Sequence, residues 1–171
     1  MARTINNKYE NLFRWMSNKL RLQDKFYKND QRSVKYPRGA IYTCHLGENI
    51  GHEKSRLEAR PCLIISNNRI NYNATNVIVI PLTKEIKYKD DSHVELKYEW
   101  HYILKKEKYS KLNFDSAVQC EDMRCVSKAR FGKFIWLFHF QHFYSSVLHI
   151  YITTSRIWPI SSVSQNQTIH L

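Results

Sequence analysis

Between residues 5 and 35 the apolar side chains Leu12, Trp15, Met16, Leu20, Phe26 and Tyr27 recur close to a helical repeat. That spacing predicts one amphipathic helix or two. Arg14, Lys19, Arg21, Lys25, Lys28, Arg32 and Lys35 crowd the intervening positions, so the wet face is either a solvated surface or an arm that touches phosphates. The stretch KYPRG ends the segment, because Pro37 disfavours helix at Tyr36 and Gly39 supplies a turn.

From Ala40 the apolar spacing shortens. AIYTCHL (residues 40–46) alternates as a strand does, and the polar GENIGHEKSRLEA that follows is too long for a tight turn, which makes it a mobile loop. Cys62-Leu63-Ile64-Ile65 is a continuous apolar run between Pro61 and the turn signal Asn67-Asn68, the mark of a buried strand. After a turn at NNRINYNATN comes the β-branched run VIVIPLT (residues 77–83), whose Pro81 is expected at an edge or a bulge. HVELKY (residues 93–98) alternates again, and further strands are expected near 116–120 and 123–127. Short strands at this spacing predict a mainly β, α+β fold built as a small barrel or sandwich.

Past Phe131 the texture changes once more: between Phe134 and Leu171 the single Asp, Glu, Lys or Arg is Arg156. His139, Gln141, His142 and His149 interrupt this apolar tail, which argues against a membrane span, and histidines among aromatics pack more often than they bind metal.

Composition sharpens the picture. A chain of 171 residues with 43% hydrophobic content folds, as one domain of ordinary size with some tail. Its 27 Lys and Arg against 15 Asp and Glu give a net charge of +12, so the expected partner is a polyanion, nucleic acid before membrane. Cys44, Cys62, Cys120 and Cys125 form no CxxC pair, which excludes the usual zinc spacing. The start MARTINNKYENLFRW lacks the apolar core of a signal peptide, so reduced thiols and a cytoplasmic location are expected.

One residue placement bears on chemistry. Arg60 stands immediately before the proline that opens the CLII strand, so the backbone behind it fixes where the guanidinium sits. Cutting RNA without a metal requires that the 2′-oxygen lose its proton, the phosphorane be neutralised and the 5′-oxygen be protonated. Arginine suits the second task, being permanently charged and shaped like the phosphate it meets. Thr83, at the end of VIVIPLT, comes beside the start of the Arg60 strand if the two strands pair as consecutive elements.

The ordered blocks RGAIYTCHLGENIGHEK, ARPCLIISNN, VIVIPLT, SHVEL and DSAVQCEDMRCVSKARF together resemble the MazF/PemK family of toxin endoribonucleases, over about Arg38 to Gly132. The resemblance implies an SH3-like antiparallel β-barrel with the helical segment as an extension, and hence a division into a basic extension (1–35), a toxin domain (36–133) and a low-charge aromatic tail (134–171). It implies a catalytic pair, Arg60 and Thr83, acting on single-stranded RNA to leave 2′,3′-cyclic phosphate and 5′-hydroxyl ends, with no metal or other cofactor. It further implies a homodimer, a cognate antitoxin as protein partner, and no membrane partner. Gly51, His52, Glu53 and Lys54 match the loop that closes over substrate and meets the antitoxin; His52, a departure from the family's serine, is a candidate proton donor or acceptor. His93, Ser116, Glu121 and Arg124 match positions near the RNA groove or the dimer contact, and each fits equally a strand-face or salt-bridge role. The base that takes the 2′-proton stays open. Two rival readings follow from the same resemblance: a DNA gyrase-binding module like the CcdB toxins, which share this fold and cut nothing, or an inactive relative that binds only RNA or antitoxin, disarmed by a tail from a shifted reading frame or a recombined end.

Overall fold

The computed structural model describes residues 2–50 and 57–137. One helix, α1 (Ala2–Lys28), takes up the periodic N-terminal segment, a single element where the sequence allowed two. The strands are β1 (Ala40–Cys44), β2 (Arg60–Ile64), β3 (Asn76–Thr83), β4 (His101–Leu104), β5 (Ser116–Gln119), β6 (Arg124–Ser127) and β7 (Phe131–Leu137). They form one antiparallel sheet in the order β4-β5-β3-β2-β1-β7, with β6 also on β3.

The long strand β3 organises this sheet. One edge pairs with β2, while the other passes from β6, against residues Asn76 to Val79, to β5, against Leu82 and Thr83. Pro81 falls in that handover. It was expected at an edge or bulge and instead lies in a central strand opposite Cys62; its missing N–H is tolerated where neither β6 nor β5 is paired to it. The sheet curls, and alternation along the strands feeds two cores. Ile41, Leu63, Ile80 and Leu82 bury one face with Leu104 and Val118, while Ala40, Cys44, Cys62, Ile64, Val77 and Val79 bury the other with Phe131.

Two local expectations are corrected. The segment expected as a turn at NNRINYNATN contains a short helix, α2 (Asn68–Asn73), because the Asn67 side chain accepts from the Arg69 N–H at 2.7 Å and caps it. HVELKY forms no strand: it contributes an isolated bridge, Tyr88 to Leu96, with Val94 79% exposed, since its apolar positions find no core to cover. The strand of this region is β4, HYIL, whose His101 and Leu104 are buried. β7 runs four residues beyond residue 133, pairing with β1 from Cys44–Phe131 to Ala40–Leu137; the tail from 138 lies outside the described residues.

Helix α1 packs on one end of this sheet. Trp15 and Leu22 are buried, Lys25 Nζ donates to the Phe131 carbonyl at 2.7 Å, and Arg130 stacks on the Trp15 ring at 5.5 Å. Gly47, at φ +82°, lies under Trp15, where any side chain would meet the indole. Cys44, Cys62 and Cys120 are buried free thiols and Cys125 is exposed.

Candidate functional site

Arg60 is the first residue of β2, opposite Cys44 of β1. On the other side β2 pairs with β3 through Cys62–Pro81, Leu63–Ile80 and Ile64–Val79. Continuing that antiparallel register by one side-chain period sets Arg60 opposite Thr83, and opposed residues in an antiparallel pair project to the same face. Thr83 is in turn paired with Ala117 of β5. Its Oγ1 accepts from the Glu85 N–H at 3.2 Å, which caps the exit of β3 and fixes the hydroxyl at the strand end.

Two residues that the sequence reading did not single out complete this face. Gln119, buried at the end of β5, accepts through Oε1 from Arg60 Nη1 in a long hydrogen bond of 3.4 Å. His101, its partner in β4, is also buried, and its Nε2 meets Glu121 Oε1 at 2.8 Å. Burial acts to raise the Glu121 pKa, but the His101 contact, backbone hydrogen bonding and Trp100 together outweigh it and hold the carboxyl below the ordinary glutamate range. Glu121 sits in the 3-10 turn Cys120–Asp122, which interrupts the run from β5 to β6. The signal for Gln119 was present in the sequence as a polar side chain at a position where DSAVQC alternates inward.

Arg124 opens β6 opposite Val79, which pairs with Ile64 on β2, so it shares the face that carries Cys62 and Arg60. The Cys62 thiol feels both arginines. Its hydrogen bond with Cys44 and its burial nonetheless push its pKa well above the usual thiol range, with Arg60 and Arg124 opposing. It is a neutral packing group under a cationic face.

The remaining predicted residues scatter. Ser116 is one step from Ala117 and therefore on the opposite pleat, donating to the Phe114 carbonyl at 3.1 Å. His93 lies in the excursion between β3 and β4, exposed, at φ 55° and edge-on to Tyr88 at 4.8 Å. Gly51, His52, Glu53 and Lys54 lie outside the described residues. Among the described residues no group of His, Cys, Asp and Glu side chains could hold a metal ion, and no helix is long and apolar enough to cross a membrane.

Residues 37–138 match the sequence model of the PemK-like, MazF-like toxins of type II toxin-antitoxin systems. The chain belongs to this family. The match begins just before β1 and takes in every strand, β7 included, and α1 lies wholly outside it. Solved members have the same fold. MazF from Deinococcus radiodurans superposes with a TM-score of 0.56 at 14% identity, over 74% of this chain and 99% of that one. An endoribonuclease from a mycobacterial species does so with a TM-score of 0.51 at 16% identity, over 75% and 96% respectively. No curated protein sequence matches the chain. Arg60, Thr83 and Gln119 all lie within the matched segment, on β2, β3 and β5.

Proposed function

We propose that this chain is the toxin of a type II toxin–antitoxin pair and cuts single-stranded RNA internally, without a metal, by attack of a 2′-oxygen on the adjacent phosphate. The observation that carries this reading is the Arg60–Gln119 hydrogen bond at the start of β2, on the face to which the β2–β3 register, continued two residues past Cys62–Pro81, also turns Thr83. A charged, planar donor beside a hydroxyl, both held on strand ends, suits a phosphorane whose extra negative charge must be met without rearrangement.

In the step itself the 2′-hydroxyl loses its proton, the bond from its oxygen to phosphorus forms, the bond from phosphorus to the 5′-oxygen breaks, and that oxygen takes up a proton. Arg60 neutralises the equatorial oxygens and Thr83 donates to one of them. Arg124, on the same face, holds a neighbouring phosphate in this reading. The +12 net charge favours this polyanion over a neutral ligand. The antitoxin is the expected protein partner. The barrel homodimer and the division into basic extension, toxin domain and low-charge tail belong to the same proposal.

A single 2′-deoxy substitution tests the chemistry. Once the cut site in an oligoribonucleotide is mapped, replacing the sugar 5′ to it by deoxyribose removes the nucleophile. Cleavage at that bond is expected to stop while other sites are still cut. Continued cleavage there means that water attacks, and the proposed mechanism fails.

A further inference from the structure

Helix α1 lies outside the family match and carries apolar side chains on two different faces. Trp15 and Leu22 turn toward the sheet and are buried. On another face Tyr9, Phe13, Met16, Leu20 and Tyr27 are 61%, 75%, 52%, 68% and 77% exposed. They are spaced four, three and four apart, then seven, and Gln23 fills the position that keeps the alternation of three and four unbroken. This is the seam of a coiled coil: Phe13, Leu20 and Tyr27 at a positions, Tyr9, Met16 and Gln23 at d positions. At about 100° per residue the seam points well away from the Trp15–Leu22 face.

We propose that α1 pairs with α1 of a second copy of this chain as a parallel, in-register, two-stranded coiled coil. In that arrangement each g position faces the e position five residues further along the other helix. The g positions are Leu12, Lys19 and Phe26 and the e positions Glu10, Ser17 and Asp24, so Lys19 faces Asp24 of the second copy, twice by symmetry. An antiparallel pair sets the acidic e positions against each other, which disfavours it.

Size agrees. With about 150–250 Å² for each fully exposed aromatic, the seam and Leu12 offer roughly 700 Å² per helix, near the ~800 Å² per partner of a stable interface. Docking on the sheet already orders the helix, so a seam of three heptads need not meet the cost of nucleating it. A lipid surface fits less well. Arg14 is tied to Glu10 at 2.8 Å and Lys28 to Asp24 at 3.5 Å, and the acidic e positions border the apolar stripe.

The test is the molar mass of the full chain by sedimentation velocity, compared with a Phe13→Glu, Leu20→Glu double variant. Where the helices are the contact between copies the mass is expected to fall two-fold; where the same two copies also pair through their barrels the mass stays, and a cross-link at residue 20 decides. A second variant guards against misfolding in the first. Leu20→Cys in a Cys125→Ser background, where the other thiols are buried, is expected to give a disulfide-linked dimer on mild oxidation. No cross-link at residue 20 of the folded chain overturns the proposal. So does unchanged mass with lost binding to phosphatidylserine vesicles, which assigns the seam to a membrane surface. Because neither assay reads RNA cleavage, failure here leaves the ribonuclease reading standing.

Discussion

At the scale of single residues the proposed site is an arginine whose freedom has been removed in advance. Pro61 fixes the chain behind it, and Gln119 Oε1 accepts from its guanidinium at 3.4 Å. In the proposed mechanism Gln119 is therefore a positioning residue. Gln119→Met keeps the buried volume and removes the acceptor, and is expected to slow RNA cleavage roughly tenfold, near the value of one hydrogen bond to a charged group. Measuring that rate beside an unchanged circular dichroism spectrum checks it. The places of Arg60 at a strand opening and Thr83 at a strand end were legible in the sequence, marked by Pro61 and by the VIVIPLT run. Gln119 and His101 were not, because alternation reveals an inward polar side chain but not which strand it meets. That information resides in register, and register is set by pairs distant in sequence such as Leu82–Val118 and His101–Gln119.

At the scale of elements, the joint between α1 and the sheet has two features that make predictions. Gly47 combines a left-handed φ of +82° with the Trp15 ring atoms 2.1–2.6 Å from where a Cβ would stand. Gly47→Ala is expected to lower the stability of the folded chain by about 1–3 kcal/mol, the usual cost of overpacking, read as a lower midpoint in urea. His45, at the end of β1, lies beside the same joint. Burial lowers its pKa first, and the cations Arg21, Lys25 and Arg130 lower it further. The folded chain therefore resists a proton that the unfolded chain accepts at about pH 6.5. Stability is fully present above that value and declines as the pH falls through it. Thermal midpoints at pH 7.5 and 5.5 are expected to differ less in His45→Gln than in the parent chain. The elements themselves were mostly legible from apolar spacing. The exception is instructive: HVELKY alternates as well as any strand here, but the turn Asp90–Ser92 and the lack of a core leave it a bridge, while HYIL pairs with β5 and buries His101 and Leu104.

At the scale of the whole molecule, the sequence carries more than the family barrel. The sheet buries two cores on its two faces, which is how a domain of this size supports strands ending in charged residues. The family match stops short of α1, and the exposed seam on that helix gives the extension a task of its own, the joining of two copies. None of this was visible in composition, since the seam and the sheet-facing residues of α1 look alike until exposure separates them.

The central claim is that Arg60 makes this chain a metal-independent ribonuclease. Its most direct test is incubation with a long single-stranded RNA in excess EDTA, with cut sites and end groups mapped beside an Arg60→Ala variant of equal solubility and fold. The parent chain is expected to give discrete cuts bearing 2′,3′-cyclic phosphate and 5′-hydroxyl ends, slowed by about a hundred- to a thousandfold in the variant. Intact RNA with the folded parent chain, or equal cutting by both proteins, would contradict it.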